Sequence, residues 1–206
     1  MNTINAIKFI SEGTSTLSLI KVSDPADYNV SLEYSYNGVN WRAWDASGLT
    51  IRQGVALYVR GNNPDGFNFY NKNTKTYKYY RFMIEGNKVS CSGNIMALID
   101  YKNMHDVIPC SYCFYGLFEN CAALTTTPEL PATKLAEHCY SFMFSGCTSL
   151  VKAPELPATT LADSCYTSMF SGCSSLATAP ELPATELADY CYSWMFDGCT
   201  FLKDKK

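Results

Sequence analysis

The chain has 206 residues, 47% hydrophobic and 17% charged, so it has apolar surface enough for a core and too little charge for a disordered chain. Lys and Arg number 16 against 19 Asp and Glu, a net charge of −3, which argues against a nucleic-acid partner because no basic surface dominates. No apolar run reaches the roughly 18 residues of a membrane span, and two His leave little for His-based catalysis or metal binding.

The first ten residues alternate, with Ile4, Ala6, Ile7 and Phe9 set among polar neighbours. They read as a strand and not as a secretory signal. The chain is therefore expected to be trimmed, to leave its cell by another route, or to stay inside. Val30, Leu32, Tyr34 and Tyr36 alternate next, Asn37-Gly38 turns the chain, and Val39, Trp41 and Ala43 resume the alternation. Asn-Gly between two alternating runs predicts a hairpin. Val55, Leu57 and Val59 form a further run, residues 61–66 a loop, and Tyr80, Phe82 and Ile84 lead through Glu85-Gly86-Asn87 into Val89. Ile95 to Ile99 come next as a last strand. About eight short strands at this spacing predict a β-sandwich-like domain over residues 1–103.

Trp41 and Trp44 have opposite parity on a strand, so one of them is expected to face solvent. Trp44 and Tyr58 are the residues of this domain expected to stack on a sugar ring, against the plainer reading of core or cross-strand packing. The stretch from Lys72 to Arg81 reads as a polar sheet edge guarded by lysines.

Residues 104–111 join the halves, and Ile108-Pro109 is expected to mimic a repeat unit and cap the C-terminal half. From residue 112 the chain repeats with a period of 26. Cys113, Cys139, Cys165 and Cys191 share one phase, and Cys121, Cys147, Cys173 and Cys199 another. Phe118, Phe144, Phe170 and Phe196 keep step with them. Such a period is the signature of a stacked repeat, each unit burying its apolar face on the next. Within a unit, Leu161, Ala162, Cys165, Met169 and Phe170 have helical spacing, Asp163 suits a helix N-terminus, and Gly172 suits its end. Pro180 and Pro183 then force extension. The spacing predicts a short helix, a corner and an extended rung per unit. The charged end, Lys203-Asp204-Lys205-Lys206, is expected to cap the last unit or to mark a cut.

The segment Met143-Phe144-Ser145-Gly146-Cys147-Thr148-Ser149-Leu150, its copies at 169–176 and 195–202, and the rung Ala153-Pro154-Glu155-Leu156-Pro157-Ala158 resemble the BspA-type leucine-rich repeats of surface proteins in Bacteroides-like bacteria. The resemblance covers about half the chain. It implies a leucine-rich-repeat solenoid over 112–206, with a curved sheet and short helices, and a role in attachment at a cell surface. The first unit departs from the pattern, with Leu117 for Met and Asn120 for Gly.

Eight in-phase cysteines are explained by a reduced, buried ladder, since free Cys packs as a small hydrophobe. Disulfides between neighbouring units are the alternative. Cys110-Ser111-Tyr112-Cys113 is a lone CxxC, and with Cys121 and His105 it offers four zinc-type ligands. The recurrence of Cys113 and Cys121 in units without His speaks against zinc, and no βαβ pattern surrounds the motif as a thioredoxin-like fold requires. No metal or cofactor is therefore expected.

Glu129, Glu155 and Glu181 occupy one phase, with Thr126, Lys152 and Thr178 beside them. In register these carboxylates stack about 5 Å apart. They form either a solvated row or an acidic stripe for a cation, a basic protein or sugar hydroxyls. No motif of nucleophile elbow, phosphate loop, zincin or dinucleotide fold is present. The expected function is non-enzymatic binding or adhesion, recognising a protein or glycan outside a bacterial cell. A phage or injection-system fibre component and a carbohydrate-binding accessory module are the alternatives. The first of these would place the chain in a phage particle, and an intracellular scaffold would place it in the cytoplasm.

Overall fold

The computed structural model of the chain describes residues 4–22 and 30–203. Met1–Thr3 at the start of the expected first strand, and Asp204–Lys206 of the charged end, lie outside them.

Eleven strands form among the described residues: β1 (Ile7–Ser11), β2 (Ser15–Lys21), β3 (Leu32–Ser35), β4 (Arg42–Ala43), β5 (Leu49–Ile51), β6 (Leu57–Gly61), β7 (Phe69–Asn71), β8 (Thr76–Lys78), β9 (Tyr80–Gly86), β10 (Val89–Ser92) and β11 (Leu124–Thr126). Six of them make one sheet in the order β11-β10-β1-β6-β3-β4, three make a second in the order β5-β2-β9, and β7-β8 is a hairpin. Alternation decides which side faces in. Ile7 and Phe9 of β1, Leu57 and Val59 of β6, Leu17 and Leu19 of β2 and Phe82 and Ile84 of β9 are all buried between the sheets. The arrangement is β-rich and compatible with a sandwich. The Asn37-Gly38 turn joins β3 to β4, with Glu33 opposite Ala43. Its loop is held by the Asn37 side chain, whose oxygen accepts from the N–H groups of Val39 and Asn40. Ile95–Leu98 is not a strand. It is a 3-10 helix, fully buried and capped by Asn94, whose side chain accepts from the Met96 N–H.

The repeat half overturns the expected leucine-rich-repeat solenoid of curved sheet and short helices. The single helix among the described residues is the 3-10 turn just named, and of the described residues 112–203 only Leu124–Thr126 enters a sheet. Each unit from Tyr112, His138, Ser164 and Tyr190 onward is a run of consecutive turns. Every fourth residue has positive φ: Ser164, Ser168 and Gly172 in one unit, and His138, Phe142 and Gly146 in the unit before it. Odd and even residues then divide the hydrogen bonds. In the unit from Ser164, the N–H groups of Thr167, Met169 and Ser171 reach the carbonyl three residues back, while those of Ser164, Tyr166, Ser168, Phe170 and Gly172 reach the next unit, 25 residues on. A helix would send each N–H past its first turn to the carbonyl four residues back in the same segment. The apolar spacing that predicted one, in which Cys165 and Met169 stand four residues apart, is the four-residue period of the turns and not the 3.6-residue period of an α-helix.

Stacking fills the interior with like on like. Phe118, Phe144, Phe170 and Phe196 form a column with ring centres 5.5 to 5.8 Å apart and planes within 15° of parallel. Phe114, Tyr140, Tyr166 and Tyr192 form a second column. All ten cysteines are free thiols, and nine are buried. Cys147, Cys173 and Cys199 each donate to the carbonyl of the Phe one unit earlier, at 3.1 to 3.2 Å. Positive φ favours glycine beside them, at Gly146, Gly172 and Gly198, and the first unit meets the same conformation with Asn120.

One hydrophobic core runs through both halves. The segment 104–111 stacks onto the repeat, as Val107 bridges Lys134 in parallel and Lys134 bridges Thr160. The sandwich supplies donors to the first unit: the N–H groups of Asn68 and Phe82 reach the carbonyls of Cys113 and Leu117. The buried Asn68 side chain ties the seam. Its Nδ2 donates to the carbonyls of Tyr80 and Tyr115, and its Oδ1 accepts from the Tyr80 N–H.

Candidate functional site

The Pro-Glu-Leu-Pro segments lie one above another and leave two adjoining grooves. The first, of about 520 Å³, is lined by Thr126, Glu129, Lys152, Glu155 and the prolines between them. The second, of about 340 Å³, is lined by Lys152, Glu155, Thr178 and Glu181 with their prolines. Lys152 and Glu155 belong to both, so the two form one continuous surface. The sequence-predicted row is thus brought together in space, with all six side chains on the same strip.

Its chemistry comes from how the backbone is used. Proline carries no N–H, so these segments cannot pair as full strands. Lys152 bridges Thr178 and Asn94 bridges Glu129, and the chain otherwise runs free of ladder bonds there. The leucine of each early segment, Leu130 and Leu156, turns in and is buried, which turns Glu129 and Glu155 out. Glu129 is the most firmly set, its N–H donating to Gly93 and its carbonyl accepting from Ile95. Thr126 spends its hydroxyl on the sandwich, donating to the Cys91 carbonyl at 2.7 Å and accepting from the Cys91 N–H. Among the described residues the ion pairs are Arg60–Glu33, Lys72–Glu137 and Arg81–Glu119, and none involves the groove carboxylates or Lys152.

The sandwich residues expected to take part are elsewhere. Trp44 is a correction: it is buried, its Nε1 donates to the Ser47 carbonyl, and its ring stacks on Phe82 with planes 7° apart. A ring so placed is core and presents no open face to a sugar. Trp41 is the outward one, and the Arg60 guanidinium covers it at 3.7 Å from the ring centre, with Tyr101 at 3.8 Å on the same cation. Tyr58 is half-buried on β6, opposite Lys8 and Ser35, and does not line the groove.

Two further features were not legible as a site. Phe69, Tyr70, Tyr79, Tyr112 and Tyr115 wall a hollow of about 430 Å³ at the seam. Lys78, also on its wall, is buried, donates to the Gly66 carbonyl, and has its ammonium pushed down to about 7 by burial. As for the zinc alternative, Cys121 donates its thiol to the Phe82 carbonyl in the core. Among the described residues no three His, Cys, Asp or Glu are grouped to hold a metal ion. No helix among them is long and apolar enough to cross a membrane.

No protein-family model matches the chain, and comparison with curated proteins and with solved structures finds no match either.

Proposed function

We propose that the protein is a non-enzymatic binding or adhesion protein that takes an extended protein or glycan partner along the Pro-Glu grooves. The observation that carries this reading is repetition: the same carboxylate, in the same proline setting, stands free of ion pairs on successive units of one strip. Each contact with such a strip is weak and exposed. Several made at once by a linear partner multiply into useful affinity. Carboxylates and Lys152 favour partners rich in basic groups or hydroxyls. The setting we propose is a bacterial cell surface, which rests on the resemblance of the Met-Phe-Ser-Gly-Cys units to repeats of surface proteins.

The test is binding of the full chain to arrays of glycans and of cell-surface and matrix proteins, beside the variant Glu129→Gln/Glu155→Gln/Glu181→Gln. Saturable binding that the variant loses supports the reading. Binding that the variant keeps in full moves recognition off the groove. Steep loss with salt would identify a basic partner, and indifference to salt a hydroxyl-bearing one.

A further inference from the structure

Ten cysteines are present, and one of them breaks the repeat. The position of Cys110 is held by Ala136, Ala162 and Ala188 in the later units. In those units the N–H of Cys139, Cys165 and Cys191 reaches the carbonyl of that alanine, so the two positions face each other across one turn. A second sulfur there places two thiols three residues apart in the first unit, Cys110 and Cys113, and each acts on the acidity of the other.

The sandwich has made room for it. Gly66 has φ of +106°, and a Cβ on it would fall 2.2 Å from the Cys110 sulfur. The sulfur thus occupies the space that only glycine leaves open. When protonated, Cys110 donates to the Asn68 carbonyl at 3.4 Å. Lys78, buried and bonded to the Gly66 carbonyl, brings to the same cluster an amine that is charged below about pH 7. The two thiols are unlike. Cys113 is fully buried, whereas Cys110 is the one cysteine of the ten that is not buried.

We propose that Cys110 and Cys113 are a redox-active dithiol, with Cys110 the attacking thiol, Cys113 the resolving one and Lys78 a positioning residue, closing to a disulfide by exchange with a low-molecular-weight disulfide. The Cys110 thiolate attacks one sulfur of the reagent, whose S–S bond breaks and releases one thiolate. Cys113 then loses its proton and attacks the Cys110 sulfur, expelling the second thiolate. The two protein thiols are oxidised by two electrons, the reagent disulfide is reduced to two thiols, and the two protons end on them. The acidities run in the same sense. The neighbouring Cys113 thiol and, against burial, the Lys78 charge hold Cys110 below the usual thiol range, while burial pushes Cys113 well above it. Asp65 is the acidic group acting on Cys110, and it opposes that lowering.

The experiment equilibrates the full chain with oxidised and reduced glutathione, quenches with acid, alkylates, and counts free thiols by intact mass and peptide mapping. Ten thiols should fall to eight, both losses mapping to 110 and 113, and dithiothreitol should restore ten. Cys110→Ala, which copies the later units and so preserves the fold, should keep all nine of its thiols. In the native protein a short pulse of alkylating agent should mark Cys110 first. Lys78→Met should slow that labelling about tenfold at neutral pH and move the midpoint of its pH profile upward. Ten thiols retained under oxidation, a pair still lost in Cys110→Ala, or a glutathione adduct on Cys110 that never closes would each overturn the proposal.

Discussion

The ring of Phe82 lies 5.1 Å from that of Phe118, centre to centre, and so forms the lowest step of the Phe column. The imitation extends to the backbone: Cys121 donates to the Phe82 carbonyl just as Cys147 donates to that of Phe118. A residue of β9 thus acts as a repeat residue, and the sandwich templates the first unit.

Removing a middle step should be costly. Phe144 is fully buried between two parallel rings. Phe144→Ala should destabilise the fold by about 3–5 kcal/mol. Phe196 is half-buried and has one ring neighbour, so Phe196→Ala should cost clearly less. Urea unfolding of both variants checks the order.

Backbone strain offers the opposite sign. Ser164 holds φ of +55°, where an L side chain is disfavoured, and the same four-residue pattern uses glycine at Gly116, Gly146 and Gly172. Ser164→Gly should stabilise by about 0.5–1 kcal/mol after its larger unfolded-state entropy is counted. A rise in Tm is the expected readout, and a fall would show that the turn tolerates Ser without strain.

Stability should climb with pH and then decline. Burial lowers the Lys78 pKa from 10.5 to about 7, so above about pH 7 the unfolded chain holds a proton that the folded chain has shed, and stability rises. Cys110, lowered from 9.0, acts in the same sense. Burial raises Cys91, Cys113 and Cys147 above 9.0, so their contribution is complete below about pH 9 and is lost above it. Denaturation midpoints at about pH 6.5, 8, 9 and 10 should rise and then fall. In Lys78→Met most of the rise should vanish while the fall remains.

The groove and the sandwich core should separate cleanly. Glu155 lines both grooves, so Glu155→Gln alone should weaken partner binding more than Glu181→Gln, with unfolding unchanged within about 0.5 kcal/mol. Trp44→Ala should do the reverse, losing about 3–5 kcal/mol of stability and leaving binding per folded molecule intact. Calorimetric titration on the folded fraction distinguishes them.

Much of this was legible in the sequence because it is periodic or local. The period of 26 placed the Phe column, the cysteine ladder and the Glu-Lys-Thr strip, and Asn37-Gly38 placed its hairpin. The helix was misread because turns of four residues and helices of 3.6 put apolar residues on nearly the same spacing. Ile95–Ile99 was misread because a short apolar run has no period of its own. Trp44 was misread because parity says that one ring of two points inward without saying which. The roles of Asn68, Phe82, Lys78 and Gly66 come from contacts across tens of residues, as between Asn68 and Tyr115, and no local pattern announces those. One signal did stand in the sequence: Cys110 occupies a position where every later unit has alanine.

The backbone hydrogen bonds between the turn runs of successive units all point one way. Each runs from an N–H of one unit to a carbonyl of the next, and Asn68 and Phe82 extend the same sense from the sandwich into the first unit. Peptide dipoles aligned head to tail add, as they do along a helix. The stack is therefore electrically polar: its sandwich end is the negative pole and the unit of Tyr190 to Gly198 the positive one. An anionic surface and a cationic one would meet different ends of the same molecule, so the protein has an orientation that its net charge of −3 does not reveal.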